Sequence, residues 1–508
     1  MENSRIMANK LLFENNDWDW AKLKRVDEAC ATIAFDELGL DIYPNQIEII
    51  GSDQMLDAYS TNGLPISYNH WSFGKSFINE EYSYRKGLSG LAYEIVINSD
   101  PCISYLMEEN TMTMQTLVIA HAAYGHNHFF KNNYLFKQWT SADSIIDYLI
   151  FARNYIQKCE EEHGPDTVED LLNACHSIMN HGVDRYKRPP KLNKKQEAER
   201  QQERASYVQE KANQLWSTLP RDTTGAPAFP DTATRPKVPS EPQENILYFI
   251  EKHSPILKSW EREILRIVRK IAQYYYPQRQ TKLMNEGFAS FTHYYIMNRL
   301  FDKGQISEGN MLEFLHSHSG VLTQRPYDHD HYSGYNPYAL GFDMMTDIRR
   351  MCENPTAEDR EYFPHHAGEN WKEVMLDAVA NYRDESFITQ FLSPRIIEKW
   401  KMFTVENNYR ESYVSVAGIQ NKEHFEQTRD TLSQQYSIAA QTPSIEIVNA
   451  NVYSNRRLDM TCRTSDGAHL MNTRSDVLNN VERLWGYPVT LREINQAESP
   501  RPPNYYGL

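Results

Sequence analysis

In the stretch QTLVIAHAAYGHNHFFKNN, residues 115–133, three histidines fall within eight positions: His121, His126 and His128. Neutral imidazole is the commonest metal ligand a protein offers, and the apolar approach Leu117–Ala120 carries the first of these rings inward. On a regular α-helix, residues five apart stand about 140° apart around the axis. His121 and His126 can therefore share an ion only if the helix stops near Gly125 or takes a π turn, whose i,i+5 repeat lines them up. His128, seven from His121, aligns with it undistorted. The competing reading is a set of core or capping histidines bonded to the backbone.

A second stretch, NEGFASFTHYYIM, residues 285–297, carries Glu286 and His293. Seven apart on a helix, they lie two turns from each other on one face. A buried carboxylate must be answered by a metal, a cation or a hydrogen-bond network. The alternative, an exposed polar face, fits poorly with Phe288, Phe291, Tyr294 and Tyr295 as neighbours. The expectation is that the two stretches meet on facing helices. His121, His126, Glu286 and His293 would then converge on Zn²⁺ or another divalent ion, leaving a position for water. Glu286 would be a further ligand or the base that activates that water.

The pattern departs from H-E-x-x-H, which has histidines at i and i+4 and Glu after the first. Here Ala122 follows His121. A weaker cluster is Glu313-x-x-His316 with His318. Di-iron bundles need two such motifs and further carboxylates, and one clear copy is present. His176 and His181 repeat the five-residue offset with no carboxylate at ligand spacing, which favours a structural role. His329 and His331 read as loop residues.

The elements that would position these groups follow from periodicity. Leu91–Asn98 alternates as a strand and Asn110–Tyr124 is the histidine helix. Helices are expected over Asp17–Leu38, Thr140–Glu162, Asp166–His181, Ile256–Tyr275, Thr281–Phe301 and Ser307–His316, with a break at Pro277. Past residue 405 the order reads β-α-β-β-α-β. The expected fold class is α+β: a mainly helical, zincin-like body with a few strands, and a small C-terminal α+β domain. The division is 1–216, a Pro/Thr-rich linker over 217–243, then 244–405 packing with 1–216 as one body, and 406–508. The segment Ser217–Gln243 is too poor in apolar residues to order itself.

Composition narrows the function classes. The 508 residues carry a net charge of −15, which repels phosphate backbones and argues against general nucleic-acid binding. Arg185–Arg204 is locally basic and reads as a solvated helix face. The six cysteines are scattered, none in a C-x-x-C pair, as in a reducing compartment. No apolar run approaches the roughly 20 residues of a membrane helix, and the N-terminal residues lack a signal-peptide core. A cytoplasmic protein is expected.

Several long motifs carry a resemblance: NHWSFGKSF at 69–77, IAHAAYGHNHFFKNNYLF at 119–136, HGVDRYKRP at 181–189, ENILYFIEKHSP at 244–255, NPYALGF at 336–342 and RDESFITQFLSP at 383–394. Through them the chain resembles the SpoVR family, the stage V sporulation protein R-like proteins of bacteria. The resemblance implies a cytoplasmic protein linked, in spore formers, to building the peptidoglycan cortex. It implies protein partners, among them a serine protein kinase and a von Willebrand A-type protein encoded nearby. Some relatives have a small residue in place of His128, so the resemblance favours His121 and His126 as ligands. A cytoplasmic protein cannot reach assembled peptidoglycan, so the implied envelope role is indirect. The two functional expectations are a metal-dependent hydrolase and a non-enzymatic scaffold that recruits partners through its C-terminal domain.

Overall fold

The computed structural model describes residues 11–60, 67, 68, 70, 94–185, 206, 238–325, 334–402, 405, 406, 415, 416, 422–438, 442–452, 454–464 and 474–495. Most of the basic run, the 217–243 segment up to residue 237, and His329 and His331 lie outside these residues. The chain is mainly helical with strands in small sheets, so the α+β class holds. No helix among the described residues is long and apolar enough to cross a membrane.

Strands β1 (Asn45–Ile50), β2 (Glu94–Ile97) and β3 (Cys102–Met107) form one sheet in the order β1-β3-β2. β1 runs parallel to β3 and β2 antiparallel to it. The histidine stretch follows directly from β3. It begins as helix Met112–Val118, capped by the Thr111 hydroxyl, which accepts from the Met114 N–H. Helix Lys282–Asp302 packs across it, flanked by helices Glu308–Val321 and Pro337–Glu353.

Two large cores hold the described residues together, and each draws on both halves of the chain. The first gathers residues from Phe13 to Phe136 with residues from Leu283 to Leu432. The second joins helices Ile145–His163, Pro165–Ser177, Ile246–His253 and Ser259–Gln280 to the C-terminal strands. Pro277 does not end the last of these helices, which continues to Gln280. A proline in the final turn forfeits a single ladder bond, and Pro277 is buried there.

The C-terminal sheet differs from the expected βαββαβ arrangement. β4 (Val405–Glu406) and β5 (Ser415–Val416) pair with each other as a separate ribbon. The larger sheet is β6 (Ser444–Ala450), β7 (Leu458–Thr464) and β8 (Val489–Asn495), with β6-β7 antiparallel and β7-β8 parallel. Helix Lys422–Tyr436, which the sequence groups with this part, buries Phe425 and Leu432 in the first core instead. Its apolar positions find a ready face there, beside helix Asp384–Phe391. The described end of the Pro/Thr-rich segment also has a partner. Gln243 exchanges two 2.9 Å backbone bonds with Ile447, and Val238 accepts from Ala450. A strand edge can satisfy backbone groups even where side chains have little to bury.

Helix Lys282–Asp302 starts on a borrowed cap. Asp384 accepts from the Leu283 and Met284 N–H groups, both at 2.9 Å, through its two carboxylate oxygens. These are N–H groups of the first helical turn with no partner inside the helix. Asp384→Ala leaves both donors buried and unmet, and is expected to cost about 2 kcal/mol by chemical denaturation. Asp384→Asn, which keeps one acceptor oxygen, should recover part of that loss.

Candidate metal centre

The histidine helix changes pitch where it meets the site. Ile119–His126 is an eight-residue π stretch, followed by a return to α-helix over Asn127–Asn132. The i,i+5 geometry brings His121 and His126 onto one face, with ring centroids 4.6 Å apart. Small residues make the widened turn packable. A Cβ on Gly125 would lie 2.7 Å from Ala289 Cα, so glycine alone lets the two helices approach there. Asn127 ties the end of the stretch to the sheet, accepting from Tyr43 N–H and donating to Tyr43 O and Asn45 Oδ1.

The two imidazoles present Nε2 to two carboxylates. His121 Nε2 stands 3.2 Å from Glu94 Oε1 and 3.6 Å from Glu286 Oε2. His126 Nε2 stands 4.0 Å and 3.5 Å from the same two atoms. Glu94, His121 and His126 can each offer one ligand atom, all within 4.8 Å of one another, so this triad can hold a metal ion. Glu94 enters from edge strand β2, the histidines from the π stretch, and Glu286 from helix Lys282–Asp302. Three separate elements thus converge on one point, with the histidines buried.

The outer ring nitrogens are all engaged. His126 Nδ1 donates to Asn285 Oδ1 at 2.9 Å. His121 Nδ1 lies 2.9 Å from His293 Nδ1, and His293 Nε2 lies 2.7 Å from His318 Nδ1. Of the four residues the sequence nominates, His121, His126 and Glu286 face a common point. His293 sits on the opposite edge of the His121 ring.

Electrostatics separate the two carboxylates. Burial pushes the Glu94 carboxyl up to about 7. Burial also raises Glu286, but His126 and His121, with a hydrogen bond from Tyr338, more than offset it and hold it below the usual range. Burial opposes a charge on His121, yet Glu94 and Glu286 outweigh it and raise its pKa. Burial lowers His126 and His318, each to about 4, and drives His293 far down. His126 is thus held neutral, as a metal ligand must be, whereas His121 favours its charged form beside the two carboxylates, so an ion bound there would displace its proton.

The other candidate histidines lie elsewhere. His128 Nδ1 accepts from the Asp41 backbone N–H at 2.9 Å, away from the two carboxylates. His176 pairs with the Tyr68 hydroxyl and stacks on His70. His181 lies past the end of its helix, in a short 3₁₀ turn. Glu313 accepts from the Thr111 hydroxyl at 2.6 Å and His316 is exposed, so the E-x-x-H spacing there gathers no ligand pair. Sequence reasoning did not nominate Glu94, Asn285 or Tyr338. Glu94 had a signal: it is the single charge in the mostly apolar sequence LAYEIVIN.

Comparison with known proteins places these residues in context. A family model described as SpoVR like protein matches residues 17–441, and one described as SpoVR-like C-terminal domain matches residues 443–496. The chain is 54% identical over 460 residues to the Uncharacterized protein YcgB of Escherichia coli (strain K12), covering 91% of this chain and 89% of that one. No solved structure matches.

Proposed function

Because the chain belongs to the SpoVR-like family, whose two models span nearly all of it, we propose one function for the residues gathered at the π stretch: a metal-dependent hydrolytic centre. The observation that carries it is the convergence of Glu94, His121 and His126 within ligand distance of one another, with Glu286 Oε2 3.5–3.6 Å from both imidazoles. Two histidines and a carboxylate, with one position left open, is the donor set of catalytic zinc once the ion has displaced the His121 proton. Zn²⁺ is therefore the proposed ion, with His121 Nε2, His126 Nε2 and Glu94 as its ligands. When bound, the ion would acidify a coordinated water and polarise a carbonyl or phosphoryl oxygen.

Glu286 is the proposed base. Its Oε2 faces both histidine nitrogens, and Tyr338 donates to its carboxylate. Such a carboxylate is ionised at rest; its Oε2 would take a proton from the attacking water and give that proton to the leaving group. Asn285 holds His126 in the Nδ1–H form, so its Nε2 lone pair points inward. The likeness to zincins is one of parts: an edge strand, a histidine helix and a later helix bearing a glutamate. The π stretch replaces the i,i+4 spacing of H-E-x-x-H. The envelope association of the resembling proteins would make the substrate a soluble cytoplasmic precursor or regulator.

The test is the metal content of the protein purified without a histidine tag. Near-stoichiometric zinc by plasma mass spectrometry is the expected result. Iron in its place would point to redox chemistry at the same ligands. Protein that carries no metal, and takes up none on dialysis against zinc, would overturn the centre. It would favour a scaffold that recruits partners, such as the kinase and von Willebrand A-type protein, through residues 443–496.

A further inference from the structure

The outer edge of His121 continues into a chain of rings. Each neutral imidazole has one donor and one acceptor nitrogen. If His121 offers its Nε2 lone pair to an ion, its proton sits on Nδ1. That nitrogen is 2.9 Å from His293 Nδ1, so His293 accepts there and carries its own proton on Nε2. His293 Nε2 is 2.7 Å from His318 Nδ1, so His318 accepts in turn and keeps its proton on Nε2. With the ion in place and both ring-to-ring bonds made, one tautomer results at each ring. We propose that His293 and His318 are positioning residues, which hold His121 through a one-directional chain of three imidazoles running out to helix Glu308–Val321. This rests on the metal-centre reading above, and adds to it the residues that set the orientation and basicity of one ligand.

The surroundings fix the chain in place. His293 is 2% exposed and His318 5%. His318 stacks on Tyr294 and Phe314, with centroids at 5.0 and 5.4 Å, and meets Phe342 edge-on at 4.9 Å. The two metal-facing histidines are thus anchored differently. His126 is held by the amide of Asn285, beside Glu286 on the same helix. His121 is held by two rings in series, the second on another helix, Glu308–Val321. A carboxylate or carbonyl is the usual partner of a metal-bound histidine; here an imidazole stands 2.9 Å from Nδ1, and the Ala289 backbone also hydrogen-bonds His121.

The test uses the full chain with ¹⁵N-labelled histidine and two-bond proton–nitrogen spectra, before and after addition of zinc chloride. Single His→Asn variants assign the rings. In the zinc-loaded protein His293 and His318 are expected as Nε2–H tautomers and His121 as Nδ1–H. Zinc-shifted His121 and His126 signals with either outer ring in the Nδ1–H form would overturn the chain alone. His121 and His126 signals that ignore zinc would overturn the centre, and the chain with it.

Chelator competition supplies a second readout. His318→Phe preserves the aromatic packing and removes the acceptor, and is expected to weaken zinc binding about tenfold. His318→Asn, whose amide oxygen can stand where Nδ1 was, should restore most of it. Unchanged affinity in the Phe variant, or equal losses in both variants with the fold intact, would overturn the proposal.

Discussion

Glu94→Gln is expected to weaken zinc binding by more than about 100-fold while leaving the metal-free protein as stable as before or more so. Loss of an outer partner alone reduces metal affinity about 10–100-fold, and Glu94 is proposed as a direct ligand, the nearer of the two carboxylates to His121 Nε2 at 3.2 Å. The stability effect has the opposite sign because of where the charge sits. Burial holds the Glu94 carboxyl up near 7, so its ionised form is disfavoured in the folded chain without an ion. Gln removes that penalty at nearly constant volume.

Glu286→Gln should behave in reverse. Its carboxyl is held below the usual range despite burial, and His121 beside it favours its charged form, so removing the carboxylate leaves a buried charged partner unmet, at a cost of about 3–5 kcal/mol in the metal-free protein. Glu94, His121 and His126 remain, so this variant should keep its zinc. Isothermal titration with zinc and denaturant melts of both metal-free variants give the comparison. If the two variants lose stability equally, or Glu94→Gln binds zinc as the wild type does, the division of roles between these carboxylates is wrong.

That pair of carboxylates also shows where the sequence stops being informative. His121 and His126 were legible as candidates, and so was the condition they needed: five residues apart, they require a π turn, and the turn spans Ile119–His126. Glu286 was legible from a helix whose aromatic neighbours forbid exposure. Glu94 was not nominated, because a lone charge in a strand is ordinarily a solvent-facing residue, and the partner that gives it meaning is in a different element. His293 fell on the same helical face as Glu286, but periodicity gives a direction and no depth. Its ring reaches the far side of His121, 2.9 Å from Nδ1.

At the level of fold, helix existence was readable and assembly was not. Helix Lys422–Tyr436 is amphipathic wherever it docks. That it packs on helix Asp384–Phe391 and not on the C-terminal sheet depends on surfaces far apart in sequence. Likewise the first strand expected past residue 405 is described only at Ser415–Val416, where it pairs with Val405–Glu406. Strand pairing is fixed by partner edges, which periodicity does not encode.

Gly341→Ala is expected to cost at least about 3 kcal/mol, at the upper end of what overpacking a core costs. Helices Lys282–Asp302 and Pro337–Glu353 cross where two glycines face each other. A Cβ on Gly341 would lie 2.3 Å from the Leu283 carbonyl oxygen and 2.8 Å from Gly287 Cα. Both atoms are backbone, so no rotamer change relieves the clash and the helices must separate. The helix that moves carries Asn285, Glu286 and His293, so zinc affinity should fall together with stability. Gly320 is the control. It lies in helix Glu308–Val321, where an added Cβ would meet nothing within 4 Å, so Gly320→Ala should be neutral or stabilising by up to about 1 kcal/mol through helix propensity. Equal stabilities for the two alanine variants would mean that the Gly287–Gly341 crossing is not what seats Glu286 beside the histidines.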